Sequence, residues 1–392
     1  MRNILVIFLS LLTLFGCSSA DESKKYKDYA IRFAESEMYR FPEAWQLDHG
    51  KRYFWGYAQG LGTLAMLKVW KATDNEKYFK YVHDWADYMV KDDGSIHKYD
   101  LESYNIDFIN SGKILFDLYR TTGEEKYRLA MDVHLKQLEE HPKTSDGVYW
   151  HKLIYPHQIW LDGIYMAGPF MAQFGKEFDR PDLIDLAMHE VVTTAKHTYS
   201  KETGLYYHAY DESREQLWAD KETGQSPHFW GRAMGWYFMA MVDILDFVPE
   251  NHPQRGEVIT IIKNFTDAII NYQDETGLWY QVMDHGGREL NYLEASVSSM
   301  FMYSIAKSIN QGYLTNNYKE IAVKIFDGIT EVLIEEQDEG VLSLTQCCAV
   351  SGLGGNPYRD GSYEYYVNER IRNNDSKATG PFIMGCLELS EF

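Results

Sequence analysis

The chain has 392 residues, 45% of them hydrophobic and 24% charged, ordinary globular values that exclude long disordered stretches. Asp and Glu total 58 against 38 Lys and Arg, and the resulting net charge of −20 excludes the electrostatic footprint of a nucleic-acid binder. Thirty Tyr and 10 Trp bring the aromatic share to 15%, which suits packing and stacking on sugar faces alike.

Met1-Arg2-Asn3 is a short basic start, and Ile4 to Phe15 is a mostly apolar run. That run is too short to span a bilayer and has the length of a signal-peptide h-region. It ends in Leu14-Phe15-Gly16-Cys17-Ser18, the pattern of a bacterial lipoprotein processing site. The reading is a signal peptide over 1–16, a lipidated Cys17 and an anchoring linker over 17–25. A lipid-anchored protein of the bacterial cell envelope, periplasmic or outer-membrane associated, is the expectation, with contact to the membrane only through its lipid. Cys347, Cys348 and Cys386 include no CxxC pair. His189-Glu190 begins like a zinc-protease helix, but Thr193 stands where the second His belongs, so no metal is expected.

One motif recurs from there to the C-terminus. Small residues lead into apolar helical runs at Gly60-Leu61-Gly62, Ser111-Gly112, Asp162-Gly163, Gly235-Trp236, Ala295 and Gly380-Pro381, six times in all. Several are followed by an amphipathic helix: Tyr78, Val82, Trp85 and Met89 form one stripe, and Tyr127, Met131, Leu135 and Leu138 another. Gly-aromatic segments such as Gly147-Val148-Tyr149-Trp150 and Gly277-Leu278-Trp279-Tyr280 precede most of the inner helices. Helices buried on two sides alternating with half-buried ones, six times over, close into a double toroid of twelve helices. The predicted fold is therefore all-α, an (α/α)6 barrel over residues 26–392, with short loops or strands at its mouth.

Residues just before the inner helices should line that mouth. Asp107 precedes the second inner helix, Asp162 opens the third, and His208, Trp230, Arg232 and Trp236 lie around the start of the fourth. An Asp before a helix is commonly a cap, and a single His or Arg is commonly structural. Two carboxylates, a His, an Arg and several Trp at equivalent places, Trp160 among them, point instead to one cavity for an acidic sugar. Two close carboxylates would also raise one pKa and keep an acid protonated near neutral pH. The glycines of Ser351 to Gly361 lack dinucleotide spacing and suggest a pocket loop that lets backbone approach a ligand.

The string from His151 through Trp160-Leu161-Asp162-Gly163 to Met166 resembles the central motif of the unsaturated rhamnogalacturonyl hydrolases, glycoside hydrolase family 105. The likeness continues through Phe229 to Trp236, Asn291 to Ser296 and Arg359 to Tyr366. It implies an (α/α)6 barrel, Asp162 as general acid/base, Asp107 as the second essential carboxylate, and His208, Trp230, Arg232 and Trp236 as substrate-holding positions. It also implies a substrate made by polysaccharide lyases, an oligosaccharide ending in a 4,5-unsaturated uronic acid, cleaved by hydration of its double bond without metal or cofactor. A sugar epimerase on the same scaffold and a non-catalytic glycan-binding lipoprotein are the alternative readings.

Overall fold

A computed structural model describes the backbone of residues 4–392 and the side chains from Asp21 onward. In chain order its helices are α1 (Ile4–Arg40), α2 (Tyr57–Thr73), α3 (Glu76–Met89), α4 (Lys113–Thr122), α5 (Glu125–Glu140), α6 (Leu161–Glu177) and α7 (Pro181–Thr198). They continue with α8 (Gly231–Leu245), α9 (Arg255–Ile270), α10 (Ala295–Asn310), α11 (Lys319–Gly328), the short α12 (Tyr363–Asn368) and α13 (Ser376–Leu389).

Helices α2, α4, α6, α8, α10 and α13 form an inner ring, which closes where α13 packs on α2. The 3-10 turn Ile106–Gly112, which leads into α4, fills the place between α2 and α6. Every residue of α8 is buried, as a helix enclosed on all sides requires. Close approach within the ring rests on small residues: a Cβ on Gly385 would lie 3.2 Å from the Tyr303 backbone nitrogen. The outer ring is amphipathic, and both predicted stripes, on α3 and α5, face inward. This is the expected double toroid. Its sixth outer helix comes from the opposite end of the chain, because α1 packs against α13.

One turn recurs between outer and inner helices. Gly94, Gly147, Gly204, Gly277 and Gly340 all adopt φ between 76° and 90°. In each, the glycine N–H donates to a carbonyl three or four residues earlier, and that earlier residue's N–H reaches across the turn, as in Thr144 to Val148 at 2.8 Å. The left-handed backbone explains the glycine, and the apolar or aromatic residue two places after it (Ile96, Tyr149, Tyr206, Trp279, Leu342) turns back into the core.

The expected strands at the mouth are three antiparallel pairs. β1 (Gln158–Trp160) pairs with β2 (Ala209–Asp211), β3 (Ile334–Glu336) with β4 (Leu342–Leu344), and β5 (Cys347–Cys348) with β6 (Ile371–Arg372). Three expected helix starts are displaced, since Gly60 lies inside α2, Gly235 inside α8 and Gly380 inside α13. Helix α13 begins at Ser376, where Asp375 caps it by accepting from the Lys377 N–H at 2.9 Å, and Gly380-Pro381 lies inside it. Gly380 marks a helix contact instead, since a Cβ there would be 3.2 Å from Leu61 Cγ.

Met1–Asn3 and the side chains of the apolar run and of Cys17 lie outside the described part. The residues read as a linker continue α1 as helix, and Tyr26 is the first described residue buried in the core. No helix among the described residues is long and apolar enough to cross a membrane.

Candidate active site

Four chain segments meet side by side where the second, third and fourth inner helices begin. The Ile106 N–H donates to His151 O at 3.2 Å, the His151 N–H to Gln158 O at 3.0 Å, and the Leu161 N–H to His208 O at 3.1 Å. This backbone stitching brings Asp107, His151, Lys152, Asp162 and His208 to one place.

Neither carboxyl is a helix cap. Asn105 caps the turn that holds Asp107, accepting from the Asp107 N–H at 3.1 Å, and Asp162 sits one residue inside α6, whose cap position is Trp160. Both carboxyls are nearly buried yet reach solvent, with side-chain exposures of 12% and 13%. Asp107 faces Lys152 Nζ at 2.6 Å and His151 Nε2 at 3.4 Å. Burial pushes its pKa up, but the Lys152 ammonium and His151 outweigh this and hold it below the ordinary carboxylate value. The charge nearest Asp107 is therefore the Lys152 ammonium, and the mutual coupling expected of two carboxylates is not its governing interaction. Burial pulls His151 down to about 4, so its ring is neutral in the working range.

Asp162 Oδ2 lies 3.5 Å from His208 Nε2. On its other side, His208 Nδ1 is 2.8 Å from the hydroxyl of Tyr366 on α12. Burial keeps that phenol protonated, and the contact holds the imidazole with Nε2 facing Asp162. Asp162 Oδ2, His208 Nε2 and His151 Nδ1 are all buried without a hydrogen-bond partner among the described residues. Three unsatisfied polar atoms around one carboxyl are costly in a core and are what a polar ligand would satisfy.

The tryptophans and Arg232, expected to hold substrate, are buried against protein groups. Trp160 is stacked by His151 at 4.6 Å and by Tyr155 at 5.0 Å, and its indole N–H donates to Gln158. Trp230 packs against His208 at 4.7 Å and Tyr366 at 6.0 Å, and donates to Gln281 Oε1 at 3.1 Å. Trp236 lies against Tyr165 and Tyr57. Arg232 is 1% exposed, donates to Cys348 O, and keeps a buried Nε without partner. These rings spend their faces on protein. In this structure they do not form an open stacking platform.

The glycine-rich loop departs from its reading too. Arg359 runs through it, donating to Gly354 O at 2.9 Å, Leu353 O at 3.0 Å and Tyr155 Oη at 2.8 Å. A Cβ on Gly352 would fall 2.2 Å from that guanidinium, so this glycine admits Arg359. Lys152, His151 and Tyr366 were missed as functional residues by sequence reading, although each stands inside a motif that carries the resemblance.

The model of Glycosyl Hydrolase Family 88 matches residues 29–392. A solved glycoside hydrolase from family 105 of C. acetobutylicum ATCC 824 superposes with a TM-score of 0.89 and 42% identity, over 93% of this chain and 99% of that one. Unsaturated rhamnogalacturonyl hydrolase YesR of Bacillus subtilis is 26% identical over 287 residues, 71% of this chain and 77% of its own. Protein Atu3128 of Agrobacterium fabrum is 36% identical over 229 residues, 57% of this chain and 97% of its own. Matched along almost all of its described length, the chain belongs to the glycoside hydrolases of the family 88 and 105 group.

Proposed function

We propose that the chain removes a terminal 4,5-unsaturated uronic acid from oligosaccharides released by polysaccharide lyases, by hydrating the C4=C5 double bond. The observation that carries this reading is the nearly buried Asp162 carboxyl, which still reaches solvent, among buried polar atoms that lack partners among the described residues. The name of the relative YesR, an unsaturated rhamnogalacturonyl hydrolase, agrees with it.

In this reaction Asp162 delivers its proton to C4 of the enol ether, and positive charge develops at C5 and the ring oxygen. Water adds at C5 while the Asp162 carboxylate takes up the water proton. The hemiketal opens, and the former glycosidic bond falls apart with the leaving sugar reprotonated at its oxygen. His208, fixed by Tyr366, keeps Nε2 3.5 Å from Asp162 Oδ2 and positions that carboxyl. Asp107, kept ionised by Lys152, supplies negative charge for the cationic transition state. Trp160, Trp230, Trp236 and Arg232 hold these groups from behind.

The motif ending in Cys17 supports a lipid-anchored place in the bacterial envelope, where fragments of extracellular polysaccharides arrive. Fractionation of cells expressing the chain and its Cys17→Ser variant tests this: the parent should be membrane-bound and the variant released. The catalytic reading is tested on a panel of lyase-generated disaccharides by loss of the absorbance of the conjugated double bond. Turnover of at least one, abolished in Asp162→Asn, is expected, and no turnover of any would refute it.

A further inference from the structure

Away from the carboxylates, the barrel mouth carries a second cluster of coordinating groups. His228 directly precedes Phe229 and Trp230, and Asp284 and His285 belong to the 3-10 turn Met283–His285. Backbone ties hold the two segments together: the Met283 N–H donates to Phe229 O at 3.0 Å, and the Gly231 N–H to Gln281 O at 3.0 Å. One ligand atom from each of His228, Asp284 and His285 lies within 4.8 Å of the others. Asp284 Oδ1 and His285 Nδ1 are 2.9 Å apart, a hydrogen-bond contact that a bound ion would replace. Two imidazoles and a carboxylate suit zinc and its first-row neighbours better than magnesium or calcium, which take oxygen ligands.

The surrounding charges are compatible with a cation. His83, Asp87 and Glu124 lie equally close together, but there the Lys126 ammonium pairs with both carboxylates and takes the cation's place. Beside His228 the neighbouring cation is committed elsewhere: Arg288 pairs with Glu364 at 3.2 Å and lies 3.6 Å from the centre of the Tyr363 ring. Tyr363 in turn packs on His285 at 5.4 Å and opens α12, the helix whose Tyr366 holds His208.

We infer that His228, Asp284 and His285 form a binding site for one divalent transition-metal ion of the zinc class at the rim of the barrel. Bound there, the ion would fasten the Met283–His285 turn beneath α12. The inference stands independently of the proposed hydration reaction.

Untagged protein, stripped with a chelator, is titrated with Zn²⁺ by calorimetry and with Co²⁺ by visible absorption. One ion per chain is expected, with the cobalt bands of nitrogen ligation. His228→Ala and Asp284→Asn should each weaken binding about tenfold or more, while His83→Ala leaves it unchanged. Circular dichroism confirms that the variants are folded. Absence of binding at about 100 μM metal, far weaker than the binding of dedicated structural sites, would overturn the inference. So would binding that neither His228→Ala nor Asp284→Asn weakens.

Discussion

Replacing Lys152 with Met removes the ammonium from Asp107 while keeping most of the side chain's volume. At 2.6 Å and an effective dielectric of about 20, the attraction between the two charges is about 6 kcal/mol. That is enough to overcome the upward push of burial, and Asp107 accordingly lies below its ordinary value. His151 cannot substitute, because burial holds it neutral above about 4. In the variant the push of burial acts alone, and Asp107 should rise by about 1–3 pH units, less than the full attraction because its carboxyl reaches solvent and is partly screened. Each unit corresponds to about 1.4 kcal/mol. If catalysis needs Asp107 ionised, the acid limb of kcat/KM should move up by the same amount. Activity would then fall about tenfold or more near pH 5 and recover toward alkaline pH. The assay is the pH profile of kcat/KM on an unsaturated disaccharide, for parent and variant side by side. Profiles that coincide after scaling would show that Lys152 does not govern the ionisation of Asp107, or that this ionisation is not needed.

Asp162→Asn should fold normally and lose about 10²–10⁴ or more in kcat, since an amide cannot deliver a proton; retention of a tenth of parental kcat would exclude the residue as the acid. Tyr366→Phe leaves the buried His208 Nδ1 unpaired, which should cost about 1–3 kcal/mol of stability and lower kcat with KM little changed, read by thermal melting and steady-state kinetics. Arg232→Ala should show a lowered melting temperature before any kinetic effect, because the guanidinium is buried against Cys348 O; an unchanged melt with a raised KM would place it in contact with substrate. Burial depresses His134 to about 3, so the unfolded chain binds its proton below about pH 6.5 while the folded one does not. Stability should therefore fall by about 1.4 kcal/mol per pH unit from pH 6.5 toward 3 on account of this ring. His134→Phe should flatten that part of the acid unfolding curve.

Much of the scaffold is legible in the chain because it repeats. The stripes on α3 and α5 and the left-handed glycines between helices are local patterns, set by helical period and backbone sterics. The identity of α1 as the twelfth barrel helix is not local, since its partner α13 lies at the other end of the chain. The candidate site divides in the same way. Asp107 and Asp162 could be singled out by their position ahead of apolar helices. Their partners could not: Tyr366 reaches His208 across 158 positions, and Lys152 meets Asp107 only because the segments are stitched edge to edge. Trp160 and Arg232 were identified as residue types suited to sugars, but burial decides what a ring or guanidinium touches, and burial is a property of the folded chain.

The central claim is that a proton at C4 starts the reaction, and labelled water tests it directly. Turnover in D₂O should place deuterium at C4 of the released 4-deoxy keto acid, and turnover in H₂¹⁸O should place the heavy oxygen at C5, with the saturated uronide left intact. Heavy oxygen at the anomeric carbon, or ready cleavage of the saturated sugar, would contradict hydration and make the enzyme a conventional glycosidase.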